Sequence, residues 1–438
     1  KAGSGTLTLS ANNTYTGQTN INQGVVSITH NNALGTTAGA TIIASGASLS
    51  LSNDITSAEN ITISGTGIAS NGVIRNTADD NTLTGLITLG DNSEIQIESG
   101  SSLTLNPTTG NAVTGTYNLT IDSIGTSFIN DPIATSTGNL TKTGAGTLTL
   151  SGTNTYTGDT TISAGDVIIG SNGQLGSGSY GGAISIASGS TLTYASSASQ
   201  TLSGVISGDG DVEKVTSATS TLMLSGDNTY TGGTNVSAGY LKSGSSSGAS
   251  PPTSGPFGTA TVTVAAGAVL DVNGQTVGNA INLSGTGISS NGAIINSSTT
   301  AATLSGDITL AAHSSVGGSY AVTLSGVISG TDKNFTKVGS STYTLSNTNT
   351  YTGDTTISVG TLKLTGGLDE ATDLIIGSNG TLDLQATQTF ATLNLAGTIT
   401  RTANTSALTI TGTSNIAGSI TTSGTQTYTG AVTLSAAT

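Results

Sequence analysis

Side chains able to carry acid–base or metal chemistry are few and scattered along this chain of 438 residues. The carboxylates that cluster do so in four small groups, which are Asp79-Asp80, Asp91/Glu94/Glu98, Asp209/Asp211/Glu213 and Asp369/Glu370/Asp373. Paired carboxylates can cleave glycosidic bonds, and an Asp-Gly-Asp stretch can offer oxygens to Ca²⁺. Most of these residues lie beside Gly, Asn or Ser, as in solvated turns, and calcium loops of this type come in tandem whereas Asp-Gly-Asp occurs once. We therefore expect no catalytic carboxylate pair and no metal site.

Bases and nucleophiles are equally sparse. The chain has two histidines, His30 and His313, and no cysteine. Each histidine stands beside residues typical of a turn and has no second histidine nearby, so neither a nucleophilic triad nor a histidine metal site is predicted. Polysaccharide lyases need basic residues, but the two arginines, Arg75 and Arg401, lie far apart in the sequence. We expect no catalytic residue, no cofactor-binding residue and no cofactor.

The composition excludes several classes of protein. Nine Lys+Arg against 23 Asp+Glu give a net charge of −14, which cannot build the basic surface that binds nucleic acid. Without cysteine there is no disulfide framework and no thiolate metal site. No run of about 18 apolar residues exists, so we expect no membrane insertion by this segment. Aromatic residues make up 3% of the chain and tryptophan is absent, which leaves few platforms for stacking sugars.

Internal repeats organise the sequence. A segment ending in Asn-Thr-Tyr-Thr-Gly occurs at residues 5–17, 146–158, 220–232 and 341–353, and in part at 426–430. A second repeat, with Ser-Gly-Thr-Gly-Ile followed by Ser-Asn-Gly, occurs at 64–74 and 284–294. The tyrosine motifs are unevenly spaced, so they mark one type of coil among others. We expect their tyrosines to pack at a coil corner with a bonded hydroxyl, and the alternative is an exposed adhesive stripe.

Between the motifs, apolar and polar residues alternate over short stretches bounded by Gly, Asn or Ser. Alternation predicts strands with one buried face, and no stretch has helical periodicity. Aliphatic residues are spread evenly, as in a solenoid whose coils bury their faces against one another. We predict an all-β, right-handed parallel β-helix of about 20 coils, a rod roughly 100 Å long. The alternative is a string of immunoglobulin-like sandwiches, which would show a buried tryptophan or regularly spaced tyrosines.

The whole chain, 1–438, is predicted to form a single continuous β-helix with repeat blocks near 1–140, 141–212, 213–335 and 336–438. One segment, 243–258, breaks the strand pattern and holds three of the five prolines. Proline cannot donate to a central ladder, so we predict a loop insertion that protrudes and is dispensable for folding. Such a loop could carry a binding site, and a solvated excursion between coils is the simpler interpretation.

Residues 142–165, Lys-Thr-Gly-Ala-Gly-Thr-Leu-Thr-Leu-Ser-Gly-Thr-Asn-Thr-Tyr-Thr-Gly-Asp-Thr-Thr-Ile-Ser-Ala-Gly, closely resemble the passenger-associated transport repeat of autotransporters, which are Gram-negative surface proteins. Lys1, Lys337 and Glu213-Lys214 stand at the corresponding place in the other copies. The resemblance implies a right-handed β-helical passenger domain carried to the cell surface by a C-terminal outer-membrane barrel. Neither a signal peptide nor barrel strands are recognisable here, so we expect this chain to be a fragment of a longer surface protein.

These observations together predict a non-enzymatic bacterial protein, secreted and located at the cell surface, that acts as a stalk, coat or adhesin. Its expected partners are other copies of itself, through lateral or end-to-end assembly, or a cell or host surface. The alternative function is that of a β-helical polysaccharide-acting enzyme or carbohydrate-binding module. A self-assembling sheath or surface layer is a third possibility that the sequence does not separate from an adhesin.

Overall fold

The computed structural model describes residues 1–216, 219–248, 250–401, 405–422 and 424–435. Contacts between residues divide the chain into two compact units, and each is described by itself. The first unit comprises Lys1–Glu213 with Tyr230–Gly232, and the second comprises Lys214–Thr229 with Gly233–Thr438.

Both units consist of short strands. Strands β1 to β25 begin in the first unit and are, in chain order, Thr6–Leu9, Thr19–Ile21, Gly24–Ile28, Thr41–Ile43, Ala47–Leu51, Thr56–Ser57, Ile61–Gly65, Ile74–Asn76, Asp80–Leu83, Ile87–Ile97, Ser102–Leu105, Val113–Thr114, Leu119–Ser123, Thr126–Ile129, Ile133–Ala134, Leu140–Thr143, Thr147–Leu150, Thr160–Ile162, Asp166–Ile169, Ser179–Tyr180, Ile184–Ile186, Thr191–Tyr194, Gln200–Leu202, Ile206–Gly208 and Asp211–Lys214. Strands β26 to β49 lie in the second unit and are Thr221–Leu224, Thr234–Val236, Gly239–Ser243, Val262–Val264, Ala268–Asp271, Thr276–Val277, Ile281–Gly285, Ile294–Asn296, Ala302–Leu304, Ile308–Gly318, Val322–Leu324, Ile328–Ser329, Phe335–Lys337, Thr342–Leu345, Thr355–Leu364, Leu374–Leu384, Gln388–Phe390, Leu393–Leu395, Thr398–Thr400, Leu408–Ile410, Ser414–Ile416, Ser419–Ile420, Gln426–Tyr428 and Val432–Leu434.

Helical structure in the described residues is limited to three single 3₁₀ turns, Ile68–Ser70, Gly176–Gly178 and Ile288–Ser290. None of the helices described is long and apolar enough to cross a membrane.

Each strand pairs in parallel with a strand about one turn further along the chain. In the first unit β14 pairs with β17, β17 with β19 and β19 with β22, which stacks Ile129, Leu150, Ile169 and Tyr194 in register. In the second unit β36 pairs with β39 and β39 with β40 in the same way. The fold is a parallel β-solenoid of about 20 turns. The prediction of an all-β parallel solenoid of that size is confirmed.

Alternation along each strand decides which side chains enter the core. In β17 the two leucines, Leu148 and Leu150, are fully buried while the alternating threonines, Thr147 and Thr149, are half-buried. Hydroxyl groups stack where strands end in the second unit. Each donates a hydrogen bond, with an oxygen–oxygen distance of 3.3–3.5 Å, to a carbonyl about one turn earlier. The donors are Ser305, Ser325, Ser346 and Thr365. Each of these carbonyls already accepts the backbone N–H of the same residue, so the hydroxyl adds a second hydrogen bond at the strand end.

The second sequence repeat forms an outward loop in both units. Residues 66–72 follow β7 and cover the outward-facing Ser48, whose side chain is fully buried. Ser48 Oγ donates to the Gly72 carbonyl at 2.9 Å and accepts the Ile68 N–H at 3.1 Å. Both loops require left-handed backbone at two adjacent non-glycine residues, with φ between 52° and 59° at Ala69, Ser70, Ser289 and Ser290.

The segment 243–258 does not protrude as a whole, contrary to the sequence prediction. Ser247 is 1% exposed and bonds to the backbone of the next turn. Gly255 exchanges two backbone hydrogen bonds of 3.0 Å with Asn228, and Phe257 is fully buried. The prediction is wrong for these residues because a predominantly Ser/Gly/Pro composition concealed one aromatic anchor and two backbone attachments.

Replacing residues 245–255 with a short Gly-Ser link is therefore expected to lower the melting temperature by several degrees. The replacement removes Ser247 and Gly255 and loosens Phe257, whose complete loss from a core costs about 3–5 kcal/mol. Thermal melting followed by circular dichroism measures the effect. The exposed Thr253 provides the control, since Thr253→Ala should melt with the parent chain. An unchanged melting temperature after the replacement would show that the segment is dispensable.

Candidate functional site

The lysines of the three inner tyrosine repeats lie in the interior. Lys142, Lys214 and Lys337 are each at most 1% exposed and rank among the largest fully buried side chains. They occupy inward-facing positions in β16, β25 and β38, beside aliphatic neighbours. A buried ammonium group must be bonded, because an isolated charge is costly to remove from water.

Backbone carbonyl oxygens surround the ammonium group of Lys142. Its Nζ lies 2.6 Å from the carbonyl oxygens of the next two residues, Thr143 and Gly144. It also lies 3.2 Å from two further carbonyls, those of Ser123 in the preceding turn and Ala164 in the following turn. One side chain therefore joins three successive turns of the first unit.

The second unit repeats this arrangement. Lys337 Nζ donates to the carbonyls of Val338 and Gly339 at 2.7 Å and to that of Val359 at 3.2 Å. The same ammonium lies over the ring of Tyr343, 5.4 Å from its centroid. Lys214 donates to the carbonyls of the next two residues at 3.1 and 2.7 Å. The recurring geometry makes the lysine a fixed internal cation that binds main-chain oxygens.

The asparagine of the tyrosine motif bonds to backbone on both sides of its own turn. Asn154 is fully buried, and its Oδ1 accepts the N–H of Ile133 at 2.9 Å. Its Nδ2 donates to the carbonyls of Gly152 at 2.9 Å and Gln174 at 3.0 Å. Asn349 makes the same three kinds of bond in the second unit. All polar atoms of the carboxamide thus serve the corner where the turns meet.

The motif tyrosines also serve the interior. Three of them are fully buried, namely Tyr156, Tyr230 and Tyr351. The Tyr156 hydroxyl lies 2.9 Å from Thr160 Oγ1, and the Tyr351 hydroxyl lies 2.7 Å from Thr355 Oγ1. The first copy differs, since Tyr15 is 40% exposed. The predicted corner packing is confirmed for the inner copies, and a continuous adhesive stripe of these tyrosines is not formed.

Four segments of the chain match one known repeat family. A family model described as the passenger-associated-transport-repeat matches residues 1–28, 140–169, 219–242 and 335–364. Each matched segment contains one Asn-Thr-Tyr-Thr-Gly motif. This chain carries passenger-associated-transport-repeats. The resemblance to repeat-bearing autotransporter passenger domains, stated from the sequence, is confirmed.

One curated protein is also similar to part of the chain. The adhesin BmaC autotransporter of Brucella suis biovar 1 (strain 1330) is 34% identical over 166 residues. The match covers 37% of this chain and 4% of that protein, so the chain spans a small part of the relative's length. No solved structure matches the chain significantly.

The acidic residues clustered in the sequence lie partly in turns and partly in strands, with Asp91 and Glu94 inside β10 and Glu213 inside β25. Several of them accept hydrogen bonds or form an ion pair. The Asn53 N–H donates to Asp79 at 2.8 Å, and the Thr231 hydroxyl donates to Asp209 at 2.6 Å. The Ala371 N–H donates to Asp369 at 2.9 Å, and Arg75 pairs with Glu98 at 3.0 Å. In the described part of the chain no three His, Asp or Glu side chains are placed to hold a metal ion. That the chain needs no metal and no catalytic residue stays a prediction.

The two histidines each accept a backbone hydrogen bond. His30 Nδ1 accepts the Asn32 N–H at 3.1 Å in a turn, as expected from the sequence. His313 Nδ1 accepts the Asn334 N–H at 3.0 Å and lies within β35, where the pairing register with β32 shifts. His30 therefore supports the backbone of its own turn, and His313 supports that of the following turn.

Removal of divalent cations is expected to leave folding unchanged. The internal cations of the transport repeats are ammonium groups, which a chelator does not extract. Melting the chain in the presence and absence of EDTA measures this directly, with the chain refolded in EDTA as a second sample. A fall of more than a few degrees would assign a structural ion to one of the acidic turns, with Asp209 and Asp211 examined first.

The buried lysines also predict how stability changes with pH. Burial lowers the pKa of Lys142, Lys214 and Lys337 from 10.5 to about 8, and for Lys142 the charges of Asp122 and Asp166 oppose this. Between these values the unfolded chain binds more protons than the folded chain, so stability increases with pH through this window. This gain in stability is complete above pH 10.5, and it is lost as the pH falls to about 8.

The measurement belongs between pH 7 and 9.5. At higher pH the buried tyrosines act in the opposite direction, because burial raises the pKa of Tyr180 to about 12 while unfolded tyrosine ionises near 10. Urea midpoints of the parent should rise across the window, and the rise should be smaller in Lys142→Met. The half-buried Lys363 supplies the control, Lys363→Met, which should keep the parent's rise. Equal pH profiles in all three proteins would contradict the prediction.

Sequence reasoning identified the lysine as part of the transport repeat but missed its burial. The available signal was its recurrence just before a glycine-bounded strand in a chain with 7% charged residues. Glu59 was missed altogether. It is 3% exposed, accepts the Thr41 hydroxyl at 3.0 Å, and burial raises its pKa.

Proposed function

We propose that this chain belongs to a secreted surface protein of a Gram-negative bacterium and acts there as an adhesive solenoid or as a stalk that presents adhesive parts. The observation that carries the proposal is the use of the repeat residues. Lysine, asparagine and tyrosine of each inner repeat bond inside the solenoid, which leaves the outward faces free to vary and to make contacts. The name of the Brucella relative, an adhesin, supports the same function.

A role without catalysis is part of the proposal. Several of the clustered carboxylates accept a hydrogen bond from a nearby group, as Asp209 does from Thr231, whereas an acid–base pair needs two carboxyls that share one substrate. The proposed partners are a cell or host surface, or further copies of the chain packed laterally or end to end.

Adhesion of the purified chain tests the proposal. Beads coated with the folded chain should attach to cultured host cells or to one another more than beads coated with the heat-unfolded chain. Sedimentation of the free protein separates the two outcomes, since bead clustering through self-association requires oligomers. Folded beads that neither attach nor cluster would exclude adhesion by this segment and leave it the role of a stalk.

A further inference from the structure

One cleft in the second unit lies where two transport-repeat segments, through Tyr240 and Ser340, meet the second outward loop. It has a volume of about 410 Å³ and is lined by Tyr240, Asn291, Ile295, Ser319 and Ser340 together with two glycines. Tyr240 belongs to β28 and Ile295 to β33, while Ser319 and Ser340 follow β35 and β38. The cleft therefore crosses several successive turns, and its volume is one that holds a small ligand.

The first unit contains the matching surface and fills it with side chains. Arg75 follows the first outward loop as Ile295 follows the second, and both occupy the same place in their sheets. Arg75 Nε donates to Gln96 Oε1 at 3.2 Å, and Gln96 Nε2 donates to Asp122 Oδ2 at 3.1 Å. In the second unit the residue paired with Ile295 is Gly317, which cannot form such a network. The chain thus holds one filled and one open version of the same module.

The lining of the open cleft combines apolar surface with uncharged polar groups. Tyr240 and Ile295 are half-buried and present a ring and an aliphatic side chain, while Asn291, Ser319 and Ser340 are exposed. Lys242, the cation on the same strand as Tyr240, has its Nζ 3.5 Å from Asp271 Oδ2, so its charge is paired within the protein. Pyranose rings have apolar C–H faces and a rim of hydroxyls, so the lining complements a sugar.

Two other ligand classes fit this cleft less well. A peptide strand would need a free sheet edge, but β28 pairs on both sides, with β26 and β30. An anionic ligand would meet a lining without a basic residue, on a chain of net charge −14. A cleft of about 450 Å³ in the first unit is lined mainly by Thr, Gly, Asn and small apolar residues and has no aromatic ring.

We propose that the cleft at Tyr240 and Ile295 binds a short neutral oligosaccharide, with Tyr240 stacking on one sugar ring and the amide and hydroxyls of the rim bonding to its hydroxyl groups. The inference deepens the proposed adhesive function and rests on it. It names the class of surface molecule that this chain would recognise.

Saturation-transfer NMR followed by calorimetry tests the site with short oligomers of glucose, galactose, mannose and N-acetylglucosamine, and with an oligouronate as the anionic comparison. We expect binding of at least one neutral series. Tyr240→Ala should weaken it roughly tenfold or more, since stacking is lost. Ile295→Arg, which copies the filled module, should abolish it. Tyr117→Ala provides the matched control, because Tyr117 is 40% exposed in the first unit and away from the cleft.

Circular dichroism of each variant confirms that the solenoid is intact, and a variant that fails to fold is replaced by Ser340→Trp, which occludes the exposed rim. Three results would overturn the inference: no neutral series binds, only the oligouronate binds, or neutral binding survives all cleft variants. Bead adhesion is measured on the same proteins. Adhesion that persists in cleft variants unable to bind sugar would leave the proposed adhesive function standing and exclude the cleft as its binding site. Absence of adhesion by the parent would exclude adhesion by this segment and leave it the role of a stalk.

Discussion

Lys337→Met is expected to lower the free energy of unfolding by about 3 kcal/mol, although it replaces a buried charge with an apolar side chain of similar length. The ammonium of Lys337 is the donor for the carbonyls of Val338, Gly339 and Val359. Removing it leaves these oxygens without that partner in the interior, and each such loss costs about 1–3 kcal/mol. Removing the buried charge itself recovers part of this cost, so we expect a total loss near the lower limit for three such oxygens.

Urea unfolding and thermal melting of Lys337→Met measure this effect. Lys363→Met is the matched control, because Lys363 lies half-buried on the neighbouring strand β40 and should lose little. A variant at 337 that melts with the control would show that water or backbone rearrangement satisfies the three carbonyls, and the lysine would then not be a structural cation.

Asn154→Ala is expected to cost a similar amount, about 3 kcal/mol, by a different route. The substitution removes one acceptor and two donor contacts. The buried N–H of Ile133 loses its acceptor, while the carbonyls of Gly152 and Gln174 each lose one of two donors and keep a backbone N–H. Hydrogen exchange of the Ile133 amide gives a local measurement, since that proton should exchange far faster once Asn154 is absent.

An exposed asparagine on the same unit supplies the comparison. Asn139 Oδ1 accepts the Asp159 N–H at 2.8 Å, but water can replace this bond, so Asn139→Ala should cost less than about 1 kcal/mol. If both alanine variants lose equal stability, burial does not make the bonds of Asn154 stronger than those of the exposed Asn139. If neither does, the motif asparagine is not required for the corner.

The fold could be predicted because its signal is local. In β17 the sequence Thr-Leu-Thr-Leu alternates, and the structure buries both leucines as the pattern requires. The packing of Tyr156 could be predicted for a related reason. A large aromatic side chain among small polar residues gains most by burial, and a corner of the core has the space for it. The pairing of turns follows once these strands exist.

The anchoring contacts could not be predicted in the same way. Lysine is rarely buried, and the partners of Lys142 are backbone carbonyls, which every residue has and which no sequence pattern distinguishes. The burial of Phe257 depends on its contacts after a proline-rich excursion. The cleft at Ile295 depends on a difference between two copies of one loop, Arg75 in one and Ile295 in the other, whose consequence appears only when the sheet register pairs them with Gln96 and Gly317.

The lysine anchors have a consequence for how such a protein could be lengthened or shortened. The carbonyls that bind Lys142 all belong to the stretch from Ser123 to Ala164, and those that bind Lys337 belong to residues 338–359. Each anchor is therefore a self-contained cassette, which carries its own cation and the oxygens that bind it. Turns inserted or deleted between cassettes leave these contacts whole, so the uneven spacing of the motifs is compatible with growth by exchange of blocks. A cut placed inside a cassette, between Ser123 and Ala164, would instead separate a charge from its ligands.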